Sequence, residues 1–447
     1  MHRARGLLLA VTVALVLADS AVVTLALPAI LQHLHTSVEQ VAWVLISFNL
    51  VLGLVAVPVA VGLSWAQPRI LSAVGIAVFA GSSAWCAAAG SIDVLIAARC
   101  AQALGGALAL IGCLELLVAA YGERRGVAVW VTAGVVGTAT GPVAGGLLTQ
   151  AFSWQAIFVV QVPVAVLAVP AALASPGVPA LRSDRHRPAV RANVTLALLS
   201  AALTAALFLL VLLLVEGWQR SPATAALTVS VVPIAALVAR PLARLLRPPP
   251  QVEVAVGCFL IAGGLVGLAL LPSSDLFWTI APQALIGLGL GLTVDRLTSQ
   301  AMEMRLPRVE HAGWTIGARH LGVVVGLAIL TPIFTTDLLD AQVPAQEAIT
   351  SLVLDAPLQP RDKISIAQAL GEALTQQQGR VPDLHHPFAS LDLAAGERPA
   401  AAELERQLDA QLERAATRAF RDSFLVGAGL ALLAMVIVLL PRARRGP

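Results

Sequence analysis

The chain has 447 residues, of which 58% are hydrophobic and only 12% are charged. Soluble domains have about 25% charged residues, and a water-soluble fold of this length could not bury so much apolar surface. The composition therefore excludes an ordinary soluble protein and predicts an integral membrane protein, with the lipid bilayer as its solvent.

Twelve apolar windows long enough to cross a bilayer follow one another along the chain. They lie at about 7–30, 41–64, 70–90, 94–119, 126–149, 154–175, 192–216, 222–245, 252–272, 276–299, 313–335 and 423–441. The stretch 207–215 is apolar on all sides, which favours contact with lipid. The sequence thus predicts an all-α fold of twelve transmembrane helices.

Among the short connections between these windows, arginine is found in alternate ones, and the only exception is Arg220 in the connection 217–221. The connections with arginine are the N-terminus, 65–69, 120–125, 176–191, 246–251 and 300–312, and the C-terminal tail is basic as well. The short connections 31–40, 91–93, 150–153 and 273–275 contain neither Arg nor Lys. By the positive-inside rule both termini are cytoplasmic, in a multi-pass protein of the cell inner (plasma) membrane.

Two connections are longer than a turn, and they divide the chain into parts. Residues 176–191 separate six windows from six, and residues 336–422 form a polar extracytoplasmic insertion between helices 11 and 12. The predicted parts are the N-terminal half 1–175, the linker 176–191, helices 7–11 at 192–335, the insertion 336–422, and helix 12 with its tail at 423–447.

The insertion ends in an amphipathic pattern. Within 401–420, Leu404, Leu408 and Leu412 are four residues apart with Glu and Arg between them, which predicts a helix leading into the last window. The insertion is interpreted either as a solvated cap or as a site for an extracytoplasmic partner.

The sharpest local motif lies in the fifth window, 137–146. It reads Gly-Thr-Ala-Thr-Gly-Pro-Val-Ala-Gly-Gly and contains Gly137, Gly141, Pro142, Gly145 and Gly146. Glycines four residues apart permit a close approach between helix backbones, and proline permits a kink. By itself the motif indicates a helix-packing face.

The same string resembles the fifth-helix signature of antiporters of the major facilitator superfamily. Residues 17–28, 99–106, 287–291 and 319–322 are similar to motifs of the fourteen-helix drug:proton antiporter branch, in the same order. The likeness covers roughly 12–165 and 205–335. It implies two six-helix halves, a small-molecule substrate and proton coupling in which Arg99 takes part.

The chain departs from that family in two places. The loop at 62–69 lacks the family's acidic residue and has Ala66 at its position. The two additional central helices of the branch are also missing, which leaves a twelve-helix plan. The first departure implies either that other contacts control gating or that transport is impaired.

Ionisable residues inside the windows are an independent signal of function. A charge at the bilayer centre costs about 2.5–3.5 kcal/mol and persists mainly in a polar path. At about 1.5 Å of rise per residue, Asp19 falls near the bilayer centre, where it is expected either to bind and release a proton or another cation or to have a structural hydrogen-bonding role. Arg99, in the fourth window, could pair with a carboxylate or with a substrate anion, and the family resemblance implies that it takes part in proton coupling.

Other polar residues inside the windows are candidates for lining a substrate cavity. They are Asn49, Gln102, Gln283, Arg319 and His320. Each of them is also compatible with a purely structural role. Glu115, Asp295 and Arg296 lie near cytoplasmic ends, where long side chains reach water, and are interpreted as structural.

The sequence does not indicate an enzyme. It lacks the serine-hydrolase, zinc-protease and Walker-type motifs, and no Cys/His spacing suits a metal, so no cofactor or metal site is predicted. The four cysteines lie in apolar windows as packing residues. Nucleic-acid binding is excluded because the arginines are dispersed at membrane borders.

Three functions remain open from the sequence. The first is proton-coupled export of an amphiphilic or lipophilic small molecule by alternating access, with Asp19 and Arg99 as the coupling residues. The second is uptake by a carrier of the same fold. The third is a non-transporting scaffold or sensor that acts through 336–422.

Overall fold

The computed structural model describes residues 2–62, 67–176, 186–302, 305–376 and 397–441. In these ranges twelve helical segments are long and apolar enough to cross a membrane, and we number them spans 1–12. Spans 1–6 are Ala4–His33, Glu39–Gly62, Pro68–Ala87, Ile92–Tyr121, Glu123–Ala151 and Ala156–Leu173. Spans 7–12 are Val190–Gly217, Pro222–Leu246, Pro250–Ala269, Phe277–Met302, Arg308–Leu338 and the final helix Arg421–Leu439. The predicted all-α, twelve-helix fold is confirmed.

Three spans are not continuous α-helices. Span 6 consists of the helices Ala156–Val159 and Gln161–Leu173, and span 8 of Pro222–Val229 and Val231–Leu246. Span 7 begins as the α-helix Val190–Thr204 and then includes the π-helical turns Ala205–Leu209 and Leu213–Gly217. Such turns change the direction in which later side chains point.

Two pairs of spans join the N-terminal half to the C-terminal half. Span 2 packs against span 11, and span 5 packs against span 8. Glycines permit both contacts: Gly313 of span 11 faces Ala56 and Ala60, and Gly146 of span 5 faces Ala226. We name the two membrane sides by the orientation that the arginine pattern predicts. The span 2 and span 11 contact at Gly313 is then on the cytoplasmic side, and the Gly146 contact on the outer side.

The expectation that 207–215 contacts lipid is wrong. Every residue from Phe208 to Val215 is at most 7% exposed. The outer part of span 7 is enclosed by spans 1, 8 and 12 and by the helix Arg398–Ala419. An all-apolar surface suits a helix neighbour as well as it suits lipid, so the pattern could not distinguish them.

The described part of the insertion is helical. The helix of span 11 continues to Asp355 and is followed by the helices Pro360–Gln376 and Arg398–Ala419. Leu404, Leu408 and Leu412 are buried in a small core with Val353 and Ile366, which confirms the predicted amphipathic helix.

That helix is attached to the C-terminal half. Trp218 Nε1, at the outer end of span 7, donates to Thr417 Oγ1 over 2.9 Å. Ser274 donates to the Glu413 carboxylate, and Phe420 packs on Phe334 at a ring distance of 4.3 Å. The described insertion is therefore built onto this half. A partner that binds to it stays a prediction.

Several sequence predictions fall outside the described residues. These are the substitution at Ala66 in the loop after span 2, most of the linker, the insertion residues 377–396 and the tail from 442.

Candidate functional site

Asp19 lies in the middle of span 1 and is completely buried. The helix around it is almost entirely apolar, and span 5 packs along it. A carboxylate in such surroundings needs hydrogen-bond donors from neighbouring helices, because the backbone amides of its own helix are already bonded.

Small residues of span 5 bring that helix close to the one that holds Asp19. Three glycines of span 5 lie directly against span 1: Gly137 faces Ala14, Gly141 faces Ala18 and Ala21, and Gly145 faces Val22. We call this contact the glycine seam. A Cβ on Gly141 would lie 2.9 Å from the Ala21 Cβ, so a larger residue requires the helices to separate. Pro142 is buried beside the seam, and Gly146 contacts the other half instead.

Arg99 of span 4 is the ionic partner of Asp19. Its Nη1 forms an ion pair with Asp19 Oδ2, and both side chains are completely buried. Its Nε donates to the Val44 carbonyl of span 2 over 3.2 Å. The guanidinium also lies over the Phe48 ring, 4.1 Å from the centroid, a favourable cation–π geometry.

Two glutamines and a serine complete a buried network around this pair. Gln161 Nε2 donates to Asp19 Oδ1 over 2.8 Å, and Arg99 Nη1 donates to Gln102 Oε1 over 2.6 Å. Gln102 Nε2 lies 2.8 Å from Ser83 Oγ and 2.9 Å from Gln161 Oε1. We call Asp19, Arg99, Gln102, Gln161 and Ser83 the buried network.

Sequence reasoning did not identify Gln161 or Ser83. Gln161 is a polar residue in the middle of the apolar window 154–175, and this interruption was a usable signal. Ser83 had no signal, because serine is common in membrane helices and often bonds its own backbone.

The Asp19 carboxylate accepts hydrogen bonds from two neighbouring spans. The carboxylate receives donors from Arg99 and Gln161, and charge-assisted bonds of this kind are about twice as strong as neutral ones. Arg99 Nη2, in contrast, has no partner in the described structure. Removal of either charge of the ion pair would leave the other one unbalanced in an apolar interior.

Asn49 and His320 meet between the two halves. His320 Nδ1 of span 11 is 2.7 Å from Asn49 Oδ1 of span 2, and Ser20 Oγ of span 1 is 3.4 Å from the same oxygen. Asn49 Nδ2 donates to the Leu45 carbonyl. Ser20, the residue after Asp19, is thus connected to His320 of span 11 through the side-chain amide of Asn49.

The other two cavity candidates are not part of either group. Gln283 is buried in span 10, where its Nε2 donates to Thr279 Oγ1 over 2.9 Å and its Oε1 has no partner among the described residues. Arg319 is half-buried in span 11 next to His320. The structure therefore brings Asp19, Arg99 and Gln102 together and leaves Gln283 and Arg319 apart from them.

An ion-pair cluster joins the halves on the cytoplasmic side. Arg308, at the start of span 11, is 2.5 Å from Glu123 and 4.0 Å from Glu115 of the N-terminal half. We call these three residues the cytoplasmic latch. Glu115 was interpreted as structural from the sequence, and it has this partner. The other two residues in that group also form pairs, Asp295 with Arg240 and Arg296 with Glu253.

Within the described ranges, no group of three or more His, Cys, Asp or Glu side chains is arranged to hold a metal ion. All four cysteines are free, and three of them are buried.

The family model of the Major Facilitator Superfamily matches residues 9–331. The chain belongs to this superfamily. The match includes the buried network, the glycine seam and the cytoplasmic latch, and it ends before the insertion. The family and the relatives described next are transporters, which confirms that the chain is not an enzyme.

Relatives are found among bacterial drug-resistance proteins. The tetracenomycin C resistance and export protein of Streptomyces glaucescens is 36% identical over 170 residues, which is 37% of this chain and 32% of the relative. The multidrug efflux pump LfrA of Mycolicibacterium smegmatis is 33% identical over 161 residues, 35% of this chain and 32% of the relative. The matches span about a third of the length of these relatives.

The fold is similar to those of solved transporters. A bacterial homologue of the human lysosomal transporter Spinster, in an inward-facing and occupied conformation, has a TM-score of 0.62 at 16% identity. The likeness covers 97% of this chain and 95% of that one. A transporter of the POT family, in complex with a peptide conjugate, has a TM-score of 0.59 and covers 74% and 91% of the two chains.

Proposed function

We propose that this chain is a proton-coupled exporter of amphiphilic small molecules, which acts by alternating access in the bacterial inner membrane with both termini in the cytoplasm. The observation that supports it most is the completely buried ion pair of Asp19 with Arg99. The names of the relatives, a tetracenomycin C resistance and export protein and a multidrug efflux pump, support export as the direction.

The coupling step follows from the electrostatics of the buried network. When Asp19 is charged, Arg99 and Gln161 both donate to it and hold spans 1, 4 and 6 together. When it takes up a proton, the attraction to Arg99 falls and one oxygen becomes a donor that needs a new acceptor. The three spans then favour a different packing, so the proton changes the relative energy of two arrangements of this half.

Two contacts convey that change beyond the network. The glycine seam holds span 5 against span 1 on both sides of Asp19, so movement of one helix displaces the other. Span 5 in turn contacts span 8 of the other half at Gly146. The hydrogen bond between Asn49 and His320 is a second direct connection between halves.

The cytoplasmic latch supports gating without an acidic residue in the loop after span 2. Arg308 belongs to the C-terminal half, and Glu115 and Glu123 belong to the N-terminal half. Cytoplasmic opening must break these ion pairs. The latch therefore supports the first of the two explanations for the missing acidic residue at 62–69, in which other contacts control gating. It gives no support to the second, in which transport is impaired.

The test is a flux measurement on the full-length chain in proteoliposomes, with 1-naphthoate, 1-naphthamide and ethidium as anionic, neutral and cationic probes, and it follows the probe that the wild type transports fastest. Asp19→Asn should reduce pH-gradient-driven transport of that probe at least about tenfold, since a group that no longer exchanges a proton cannot couple the gradient. Exchange of the same probe across the membrane without a gradient should persist. The exposed Asp93→Asn, at the outer start of span 4, is the matched control and should transport like the wild type.

Two results would contradict the proposal. If Asp19→Asn retains full gradient-driven flux, the coupling residue is wrong. If the wild type transports none of a panel of amphiphiles while 336–422 retrieves a partner protein, the scaffold function replaces transport. Uptake and export are distinguished by comparing accumulation in inverted and right-side-out vesicles.

A further inference from the structure

Arg319 is a charged residue that has no counter-ion among the described residues. It lies inside span 11, which runs from Arg308 to Leu338, and it is half-buried. Among the described residues it forms no ion pair and no hydrogen bond through its side chain, in contrast to Arg99, Arg296 and Arg308. An intramembrane arginine normally pairs or faces a polar cavity, because isolation in hydrocarbon is costly.

The orientation of span 11 directs Arg319 away from lipid. Trp314 and Val325 of the same helix are 43% and 48% exposed, which marks the lipid side. At about 100° per residue, Arg319 is roughly 120–140° around the helix from both of them. Its neighbours one turn away on the same face are Ile316, which is buried, and Val323, which packs on the core.

Two packing contacts limit the space into which Arg319 points. Gly313, Gly317 and His320 face span 2, at Ala56, Gly53 and Asn49. Gly322 and Gly326 face span 7, at Ala197 and Ala201. Arg319 lies between these two faces, on the side of the helix that is turned toward the interior between the halves. In repeat-built transporters the substrate site lies at this interface near the bilayer midplane.

In the described parts of spans 1, 2, 7 and 11, no acidic side chain that is free of another arginine lies at the depth of Arg319. Span 2 has one carboxylate, Glu39, and span 7 has one, Glu216, both at the outer ends of the helices. On span 11 itself, Glu310 is nine residues before Arg319, and Asp337 is eighteen residues after it. Asp19 of span 1 is already paired with Arg99. Among the described residues of these four spans, Arg319 therefore has no carboxylate at its level to balance its charge.

We infer that Arg319 binds the substrate, and that the substrate is an amphiphilic anion whose acidic group pairs with the guanidinium. This inference rests on the proposed function and names its substrate class. The planar guanidinium can donate two parallel hydrogen bonds to a carboxylate. Ile316 and Val323 provide an apolar wall for the body of the molecule. His320 and Asn49, bonded to each other beside Arg319, supply polar atoms at the same level.

The experiment compares three small probes with the same ring system: 1-naphthoate, neutral 1-naphthamide and cationic 1-naphthylmethylamine. Binding to the purified full-length protein in detergent is measured by the shift of its thermal transition with probe concentration. The wild type should bind naphthoate about tenfold more tightly than naphthamide, as expected for a charge-assisted hydrogen bond.

Arg319→Gln should remove this preference, so that the ratio of the naphthoate and naphthamide affinities approaches one, while naphthamide binding stays unchanged. Arg319→Lys keeps the charge and should restore part of the ratio. Arg296→Gln is the matched control, because that arginine is paired with Glu253 at the cytoplasmic end of span 10. It should keep the wild-type ratio.

The inference is overturned if the wild type prefers the amide or the amine, if it gives no saturable shift with naphthoate, or if Arg319→Gln keeps the preference. These outcomes are separate from the test of the proposed function. Proton-driven flux of any of the three flux probes that depends on Asp19, together with no anion preference, would retain the exporter and remove the anion site. Anion preference that depends on Arg319, without proton-driven flux of any probe, would retain the anion site and remove the exporter.

Discussion

The two halves of the molecule use the same helix contacts and place different chemistry on them. In the N-terminal half, Gly75 of span 3 and Gly105 of span 4 each face the other's carbonyl oxygen. In the C-terminal half, Gly257 of span 9 and Gly289 of span 10 do the same. Arg99 lies six residues before Gly105 in one half, and Gln283 lies six residues before Gly289 in the other.

A second pair of contacts shows the same difference between the halves. These are the contact of span 1 with span 5 and the contact of span 7 with span 11. Gly141 faces span 1 at Ala18, and the next residue is Asp19. Gly326 faces span 7 at Ala201, and the next residue is Ala202, which is buried and apolar. One half thus has a buried ion pair where the other has a neutral amide and a methyl group. The comparison shows that close packing is the shared requirement, and that buried charge is an addition to one half.

The largest expected effect comes from the matched pair Arg99→Leu and Gln283→Leu. Arg99→Leu leaves the Asp19 carboxylate buried without its counter-ion and should lower the free energy of unfolding by about 3–5 kcal/mol. Gln283→Leu removes an amide whose oxygen has no partner among the described residues, and it should change the free energy of unfolding by less than about 1 kcal/mol. Denaturant titration of the purified protein in detergent measures both. Equal losses at the two positions would show that charge is not what distinguishes the halves.

The second expected effect concerns the glycine seam. Gly141→Leu forces spans 1 and 5 apart and should destabilise the protein by about 1–3 kcal/mol, with loss of transport. Gly263→Leu, on an exposed face of span 9 with no atom near the new side chain, is the control and should be tolerated. Thermal unfolding and proton-driven flux of the probe that the wild type transports fastest are the measurements. A Gly141→Leu protein with normal flux would contradict the role of the seam in coupling.

The third prediction addresses the cytoplasmic latch. Since Glu123 is 70% exposed, solvent screens the pair, and Arg308→Gln should favour cytoplasmic opening by at most about 1 kcal/mol. That corresponds to roughly fivefold faster maleimide labelling of a cysteine placed at Ala56, under the span 11 contact, in a background without native cysteines. Arg406→Gln, which breaks an ion pair inside an exposed insertion helix, is the control. Unchanged labelling in Arg308→Gln would exclude the latch.

The fourth prediction concerns the hydrogen bond between Asn49 and His320, whose effect is expected to be of similar size to that of the latch. A double-mutant cycle with Asn49→Ala and His320→Ala should give a coupling energy of about 0.5–1.5 kcal/mol, typical of one buried hydrogen bond. The pair Thr315 and Asn193, 3.4 Å apart within the C-terminal half, is the comparison and should give less. A coupling energy near zero for Asn49 and His320 would mean that this contact does not join the halves in solution.

Sequence patterns predicted most of the fold because their causes are local. A span of about 20 apolar residues, an arginine at its cytoplasmic end and glycines four residues apart are each readable without a partner helix. For the same reason Asp19, Arg99 and Gln102 were identifiable as unusual: a polar side chain in an apolar window is visible in the window itself. Their roles stay predictions until flux is measured.

What the sequence by itself determined, then, is the number of spans, their predicted orientation and the residues that are costly to bury. Only the tertiary structure decided which of these residues meet. Among the described residues, it placed Gln161 on Asp19, left Gln283 with an unpartnered oxygen and Arg319 without a counter-ion, and buried 208–215 under an insertion helix. The physical reason is that hydropathy measures transfer out of water, whereas the partner of a buried group depends on which helix faces lie opposite it.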